Sequence, residues 1–308
     1  MTAAAGLTER LVTVAGLRTR TLEAGSHGPA IVFLHALDFA RGGLCHSALA
    51  WELNLPALGE EFRAIAFDAP GHGRADLPKE PESYAFEAQV RRLRGVLETL
   101  GVQRAHLVGH DQGAMTAVRL AFEAPELVAS CTVVDSPSVA PAGDADANLT
   151  LAAPLRPLYS RRGQRWILSR LSYTPHHAGT GRFLDEAVET AASAAFTEAT
   201  RQMTAADAAS RFRRSLARLR TDTFVRMRDR GLPVPTLLVW GNQDPISPPA
   251  FAQSTFALIA ARQPVTQLRL INRAGYLPFR EQPDIFNAVV RGFVRTVEHL
   301  TGTRATTT

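Results

Sequence analysis

The chain has 308 residues, of which 45% are hydrophobic and 20% charged, with a formal net charge of +5. That balance predicts a soluble globular protein of one large domain or two, with enough apolar sequence for a sizeable core, and excludes a chain that is mainly disordered. No apolar run approaches a membrane helix in length. The arginine excess is spread along the chain, locally denser over 156–230, and lacks aromatic interleaving, which argues against a nucleic-acid partner. Met1 to Arg10 lack the basic start and long apolar stretch of a secretory signal, so a cytoplasmic protein is expected. An oligomer is compatible with this composition.

In chain order, Leu11 to Val14 and Leu17 to Leu22 predict a hairpin around Ala15-Gly16, and Ala30 to His35 a short buried strand. Five further strand-like runs follow: Arg63 to Phe67, Ala105 to Val108, Ala129 to Val134, Thr236 to Trp240 and Gln267 to Ile271. Helix-period segments such as Phe86 to Leu100 and Phe286 to Leu300 separate most of them. Alternation of this kind predicts an α/β fold with an eight-stranded, mostly parallel sheet covered on both faces. The alternation breaks between about Ser138 and Gly231, where helical periodicity appears in Gln164 to Leu171, Arg182 to Ala195 and Ala205 to Arg228. Residues 1–138 and 231–308 therefore read as the core, and 139–230 as a helical insertion. Of two cysteines, Cys131 reads as a small buried residue of a strand, and Cys45 carries no mark of a thiolate.

Ligands of such sheets bind at the carboxyl ends of the strands. The strand ending at Val108 runs into Gly109-His110-Asp111-Gln112-Gly113, with a helix pattern beyond. Glycines on both sides of one residue are what a sharp strand-to-helix turn requires if its central side chain is to stand above the sheet. Other strand ends carry His35-Ala36-Leu37, continuing to Gly42-Gly43, then Asp68-Ala69-Pro70-Gly71-His72-Gly73-Arg74, then Trp240-Gly241-Asn242-Gln243-Asp244-Pro245. After the last strand comes Asn272-Arg273-Ala274-Gly275-Tyr276-Leu277-Pro278. His72 reads as part of a tight turn rather than as a catalytic group.

These separately placed motifs, in this order, resemble the α/β-hydrolase superfamily over nearly the whole chain, with the insertion at the position of that family's cap. Trp51 to Leu58 followed by Phe62 to Asp68 is most similar to meta-cleavage product hydrolases, which break carbon–carbon bonds. The elbow aspartate instead resembles epoxide hydrolases and dehalogenases. The resemblance assigns Asp111 to the nucleophile position and Asp244 to the acid. Two positions depart from the usual pattern: aspartate replaces the family serine at 111, and tyrosine stands at 276 where the family carries its histidine base.

That departure limits the chemistry. A serine hydrolase needs a base near neutral pKa, and an aspartate-nucleophile hydrolase needs one to activate the water that cleaves its ester. A phenol, with a reference pKa of about 10, is almost wholly protonated at pH 7. Asp111 as base and Tyr276 as hydrogen-bond donor suit non-hydrolytic work such as enolisation, cyclisation, elimination or carbon–carbon bond chemistry. The backbone N–H of Gln112 and the Gly42-Gly43 loop, supported by His35, are candidates for binding a developing oxyanion. A hydrolase using an Asp111 ester, with His46, His176 or His177 as surrogate base, is a second reading, and a noncatalytic ligand-binding homologue a third. His110, flanking the elbow residue, reads as packed or structural.

Tyr159, Trp166 and Tyr173 of the insertion, with Leu168, Leu171 and Phe183, offer apolar surface for a small hydrophobic or aromatic substrate. No metal site is expected. His106 and His110 straddle a strand and its turn, and His176-His177 lack an evident third ligand. No phosphate-cradling loop or dinucleotide fingerprint follows a strand, so no cofactor is expected either.

Overall fold

Eight strands form one sheet, as the pattern predicts: β1 (Thr8–Val14), β2 (Leu17–Ala24), β3 (Ala30–Leu34), β4 (Arg63–Phe67), β5 (Ala105–His110), β6 (Val128–Val134), β7 (Thr236–Gly241) and β8 (Thr266–Ile271). This is a computed structural model, and it describes residues 6–37, 46–141, 155–174 and 182–305. Gly42, Gly43, Cys45, His176 and His177 lie outside the described residues.

The strand order is β1-β2-β4-β3-β5-β6-β7-β8. β1, β2 and β4 pair antiparallel and every other pair is parallel. The β1–β2 hairpin closes with Ala15 at φ 44° and Gly16 at φ 78°, the doubly left-handed turn whose twist matches that of the flanking strands. β5, β6 and β7 are buried along their whole length, which is why they read as unbroken apolar runs rather than as alternating ones. Exposure alternates along the edge strand β8 instead.

The chain moves from β3 to β4 in one direction and then crosses to β5 on the other side of β3. The carboxyl ends of β3 and β5 therefore flank a switch point, where an open α/β sheet leaves a crevice. Two apolar clusters cover the sheet. One joins Leu107 and Val133 to helices α2 (Phe86–Thr99) and α3 (Gln112–Glu123) through Leu93 and Met115. The other is built on Trp51, which stacks on Phe279 at 4.1 Å, with Phe33 and Phe286 around it. A short α1 (Leu55–Gly59) follows Trp51 in the chain.

Between β6 and β7 the described helices are α4 (Arg161–Leu171), α5 (Arg182–Ala192), α6 (Ala194–Ala205) and α7 (Ala208–Arg230). The single helix predicted over Arg182 to Ala195 stops at Ala192, because Ser193 caps a new one: its Oγ accepts from the Phe196 N–H at 3.1 Å. Serine competes with the helix ladder in this way, so it starts helices better than it continues them. α7 packs against α2 and against α8 (Pro249–Ala260), placing Phe212, Leu219 and Met227 in the first apolar cluster.

α5 is fastened through charge. Glu186 accepts from both terminal nitrogens of the fully buried Arg20, one of them at 2.7 Å, and from Ser47 Oγ at 2.7 Å. Asp68 takes the other edge of the same guanidinium at 2.8 and 3.0 Å. A guanidinium forked between two carboxylates offsets the desolvation of all three groups, which none could bear alone. Among the described residues no helix is long and apolar enough to cross a membrane.

Candidate active site

The turn from β5 into α3 holds Asp111 at φ 49° and ψ −115°, a conformation that a non-glycine residue adopts only when its surroundings impose it. Here the surroundings are backbone. A Cβ on Gly109 would stand 2.4 Å from the Ala114 nitrogen, and one on Gly113 2.5 Å from the Leu34 carbonyl oxygen. The Asp111 carbonyl accepts from Ser136 Oγ at 2.7 Å, and its N–H donates to the Val134 carbonyl at 3.1 Å. The aspartate is thus fixed at both ends of its own backbone unit.

Its carboxylate meets the predicted partner. The Tyr276 hydroxyl donates to Asp111 Oδ2, and Ser138 Oγ donates to Oδ1 at 3.2 Å. Both side chains are nearly enclosed, with Asp111 7% and Tyr276 6% exposed, so the contact is made largely out of water.

Tyr276 is positioned by its main chain. Its N–H donates to the Leu171 carbonyl at the end of α4 (2.9 Å), and His110 Nε2 donates to its carbonyl oxygen (2.9 Å). Gly275 lets α4 approach, since a Cβ there would lie 2.4 Å from the Leu171 oxygen. Glu281, in the short helix α9 (Pro278–Glu281), gathers the same segment. One of its oxygens accepts from the Gly275 N–H at 2.7 Å, and the other accepts from the N–H groups of Tyr173 (2.7 Å) and Thr174 (3.2 Å).

Behind the phenol sit two more carboxyl groups. Asp244 accepts from the N–H groups of Ile246 (2.7 Å) and Ser247 (3.1 Å) through Oδ1. Asp135, at the end of β6 with φ 38°, accepts from the Gly241 N–H at 2.8 Å. Asp244 reaches the same glycine, its N–H donating to the Gly241 carbonyl at 3.2 Å. Burial, and then the neighbouring Asp244 charge, push Asp135 well above the carboxylate range; burial pushes Asp244 up to about 7. Burial and the adjacent Asp111 charge hold the Tyr276 phenol well above its ordinary value, keeping it a proton donor.

The imidazoles near the site are neutral at pH 7. Burial lowers His35 to about 4 and His110 to about 3, and it holds His46 well below its usual value. His35 braces its loop, with Nδ1 donating to the Ala36 carbonyl at 2.7 Å and Nε2 accepting from the Ala69 N–H at 3.0 Å. The His46 ring lies 6.1 Å from that of His110. His72 bonds the Pro70 carbonyl within its own turn at 3.1 Å. Cys131 is buried, with its thiol pushed up to about 12 by that burial.

Of the other predicted residues, Gln112 begins α3, and its Oε1 accepts from the Leu37 N–H at 3.1 Å, tying the elbow to the loop after β3. Tyr159 and Trp166 pack against the apolar cluster that contains Tyr276; Tyr159 meets Phe196 edge-on at 5.0 Å, and Arg170 lies over Trp166 at 5.6 Å. Tyr173 is 48% exposed, and its described contact with the site is through its backbone rather than its ring. The sequence reading missed Asp135 and Ser138. Both follow the predicted strand Ala129 to Val134 as Asp-Ser-Pro-Ser, and the rule that chemistry gathers at strand ends, applied to that strand too, finds them.

The arrangement sets the Asp111 carboxylate against the Tyr276 phenol donor at the start of α3, where negative charge is favoured. The model of the "Alpha/beta hydrolase family" matches residues 31–289. An uncharacterized protein of Mycobacterium tuberculosis is 28% identical over 297 residues, covering 93% of this chain and 81% of that one. A fluoroacetate dehalogenase of Burkholderia is 33% identical over 133 residues, 42% of this chain and 41% of the relative. Among solved structures, a meta-cleavage product hydrolase from Pseudomonas fluorescens superposes with a TM-score of 0.74 at 22% identity, covering 93% of this chain and 97% of that one.

Proposed function

The chain belongs to the alpha/beta hydrolase family, and from that premise we propose that it is an enzyme of non-hydrolytic acid/base chemistry, with Asp111 as base and Tyr276 as acid. The observation that carries this reading is the direct bond from the Tyr276 hydroxyl to the Asp111 carboxylate. In a hydrolase of this fold an imidazole must take a proton from water or from a nucleophile. A buried phenol held well above its ordinary pKa cannot do so.

The step follows from that bond. A substrate carbonyl entering the site competes for the phenol proton; once Tyr276 turns to the carbonyl oxygen, Asp111 loses a hydrogen bond that stabilised its charge and becomes a stronger base. Asp111 takes the proton from the adjacent carbon, the C–H electron pair becomes the enolate, and Tyr276 with the Gln112 N–H stabilises its oxygen. Return of the proton from Asp111 to a different carbon completes an isomerisation; in a cyclisation the enolate carbon instead bonds to a second carbonyl carbon of the substrate, that C=O pair moves to its oxygen, and the oxygen takes the proton, so neither path needs an oxidant. The apolar surface of α4 and α5, with Leu168, Leu171 and Phe183, suits a small hydrophobic carbonyl or phenolic substrate.

The dehalogenase relative favours a second reading, in which Asp111 attacks carbon and forms an ester. Deuterium exchange in heavy water separates the two, tested on a panel of enolisable ketones, phenols, epoxides and alkyl halides. The acid/base reading expects deuterium to enter carbon in the wild type, not with Asp111→Asn and slowly with Tyr276→Phe. It is abandoned if both variants keep full activity, or if turnover proceeds through a covalent adduct on Asp111 with labelled water oxygen entering the product.

A further inference from the structure

The carboxyl groups of Asp135 and Asp244 come from neighbouring strand ends, β6 and β7, and both residues bond the same glycine: Asp135 Oδ1 accepts from the Gly241 N–H at 2.8 Å, and the Asp244 N–H donates to the Gly241 carbonyl at 3.2 Å. Each has one oxygen served by amides: Asp135 Oδ1 by Gly241, Asp244 Oδ1 by Ile246 and Ser247. The other oxygen of each, Asp135 Oδ2 and Asp244 Oδ2, is buried and meets no N–H or O–H donor among the described residues. An ionised carboxylate only accepts. Two neighbouring buried carboxyl oxygens with no other donor escape the cost of two unpaired charges only if a proton lies between them.

We propose that Asp135 and Asp244 are a proton-sharing carboxyl pair that sets the charge behind Tyr276. The identity of residue 276 explains why the pair exists. An imidazole there would carry a second nitrogen able to donate to the acid behind it. A phenol has one O–H, and Tyr276 spends it on Asp111, so the acid behind position 276 receives no donor from it and finds one on a second acid.

The consequence is electrostatic. The groups that bear on the pair are Asp111 from the elbow, Tyr276 itself, Glu281 from α9 and, beside the phenol, the neutral His110. Three of these four are acidic and none is cationic. Two full charges on the pair would repel the Asp111 carboxylate and any enolate formed beside it; one shared proton halves that repulsion. The pair thus acts as a positioning element for charge and touches no substrate. Its catalytic consequence rests on the reading of Asp111 and Tyr276 given above, whereas the shared proton itself does not.

Infrared spectroscopy of the full-length protein in heavy water at neutral pH tests the proposal without substrate. The wild type is expected to show the carbonyl stretch of a protonated carboxylic acid. Asp135→Asn and Asp244→Asn are each expected to lose that component, because the amide supplies the N–H that the proton replaced. A wild type without the band, or a band of unchanged intensity in both variants, overturns the proposal. Should a variant fail to fold, carbon-13 labelling of the wild-type aspartates serves instead. Two carboxyl resonances titrating together above the ordinary carboxylate range support the pair, and independent titration of all aspartates within that range overturns it. Neither readout depends on Asp111 being the base, which the deuterium-exchange experiment decides separately.

Discussion

The imidazole of His110 donates to the main-chain carbonyl of Tyr276 at 2.9 Å, so the residue beside the elbow aspartate holds in place the residue that binds that aspartate. The ring also packs 4.4 Å from the Tyr276 ring and 5.1 Å from that of Phe279. It joins β5 to the segment after β8 beneath the candidate catalytic contact.

Replacing His110 by alanine removes that bond and leaves a void beside two aromatic rings. A loss of about 2–4 kcal/mol is expected, combining the cavity and the unmet carbonyl, and a urea titration measures it. The pH dependence carries a sign. Burial lowers His110 to about 3 in the folded state, below its unfolded value of about 6.5, so its contribution is fully present above that value and is lost as pH falls toward 3. The stability of His110→Ala should therefore decline less steeply than that of the wild type over that interval.

Tyr276 makes the opposite prediction at alkaline pH. Burial and the Asp111 charge raise its phenol well above 10, and burial raises Tyr84 as well. In an ultraviolet titration of the four tyrosines, these two are expected to lag behind their absorbance in the unfolded chain. Stability is present below the unfolded value near 10 and is lost as pH rises toward the higher folded value. Tyr276→Phe should leave the native titration near pH 10 unchanged while removing part of the alkaline loss of stability. An equal fall in native absorbance at that pH would show that the phenol ionises normally.

Most of the fold was legible in the sequence, because buried parallel strands announce themselves as short apolar runs and an elbow needs its two glycines. The contact between Asp111 and Tyr276 was legible for the same reason, since both lie at strand ends. What was not legible depended on burial shared between distant segments. Glu186 reads as an ordinary charged residue of an amphipathic helix, and Arg20 as one of several arginines; only their meeting, 166 positions apart, makes them a clamp. Asp135 was hidden for a different reason, because the acid position was assigned by resemblance to Asp244 and no second acid was sought.

That clamp gives a third prediction. Glu186→Ala takes one of the two carboxylates that hydrogen-bond to a guanidinium with no exposed side-chain surface. Asp68 remains, so the cost should fall near the lower end for a broken buried pair, about 3 kcal/mol, seen as a lowered melting temperature. Glu186→Gln keeps an acceptor for Ser47 and part of the Arg20 bonding and should lose less. Equal stability of Glu186→Ala and the wild type would mean that α5 is held by its apolar face alone.

Tyr276→His is the most informative substitution, because the surroundings already contain what an imidazole needs. Asp111 would face one ring nitrogen, and the Oδ2 atoms of Asp135 and Asp244, which meet no N–H donor among the described residues, lie behind. The ring replaces a phenol of greater length, and the main-chain bonds to Leu171 and His110 do not depend on the side chain, so the backbone should hold. With a neutral imidazole available to activate water, an ester formed on Asp111 would no longer persist. The variant is expected to gain hydrolysis of an epoxide or alkyl halide, with labelled water oxygen in the product, and to lose the deuterium exchange that requires the phenol. Gain of hydrolysis without loss of exchange would separate the two activities and show that Tyr276 is not the acid.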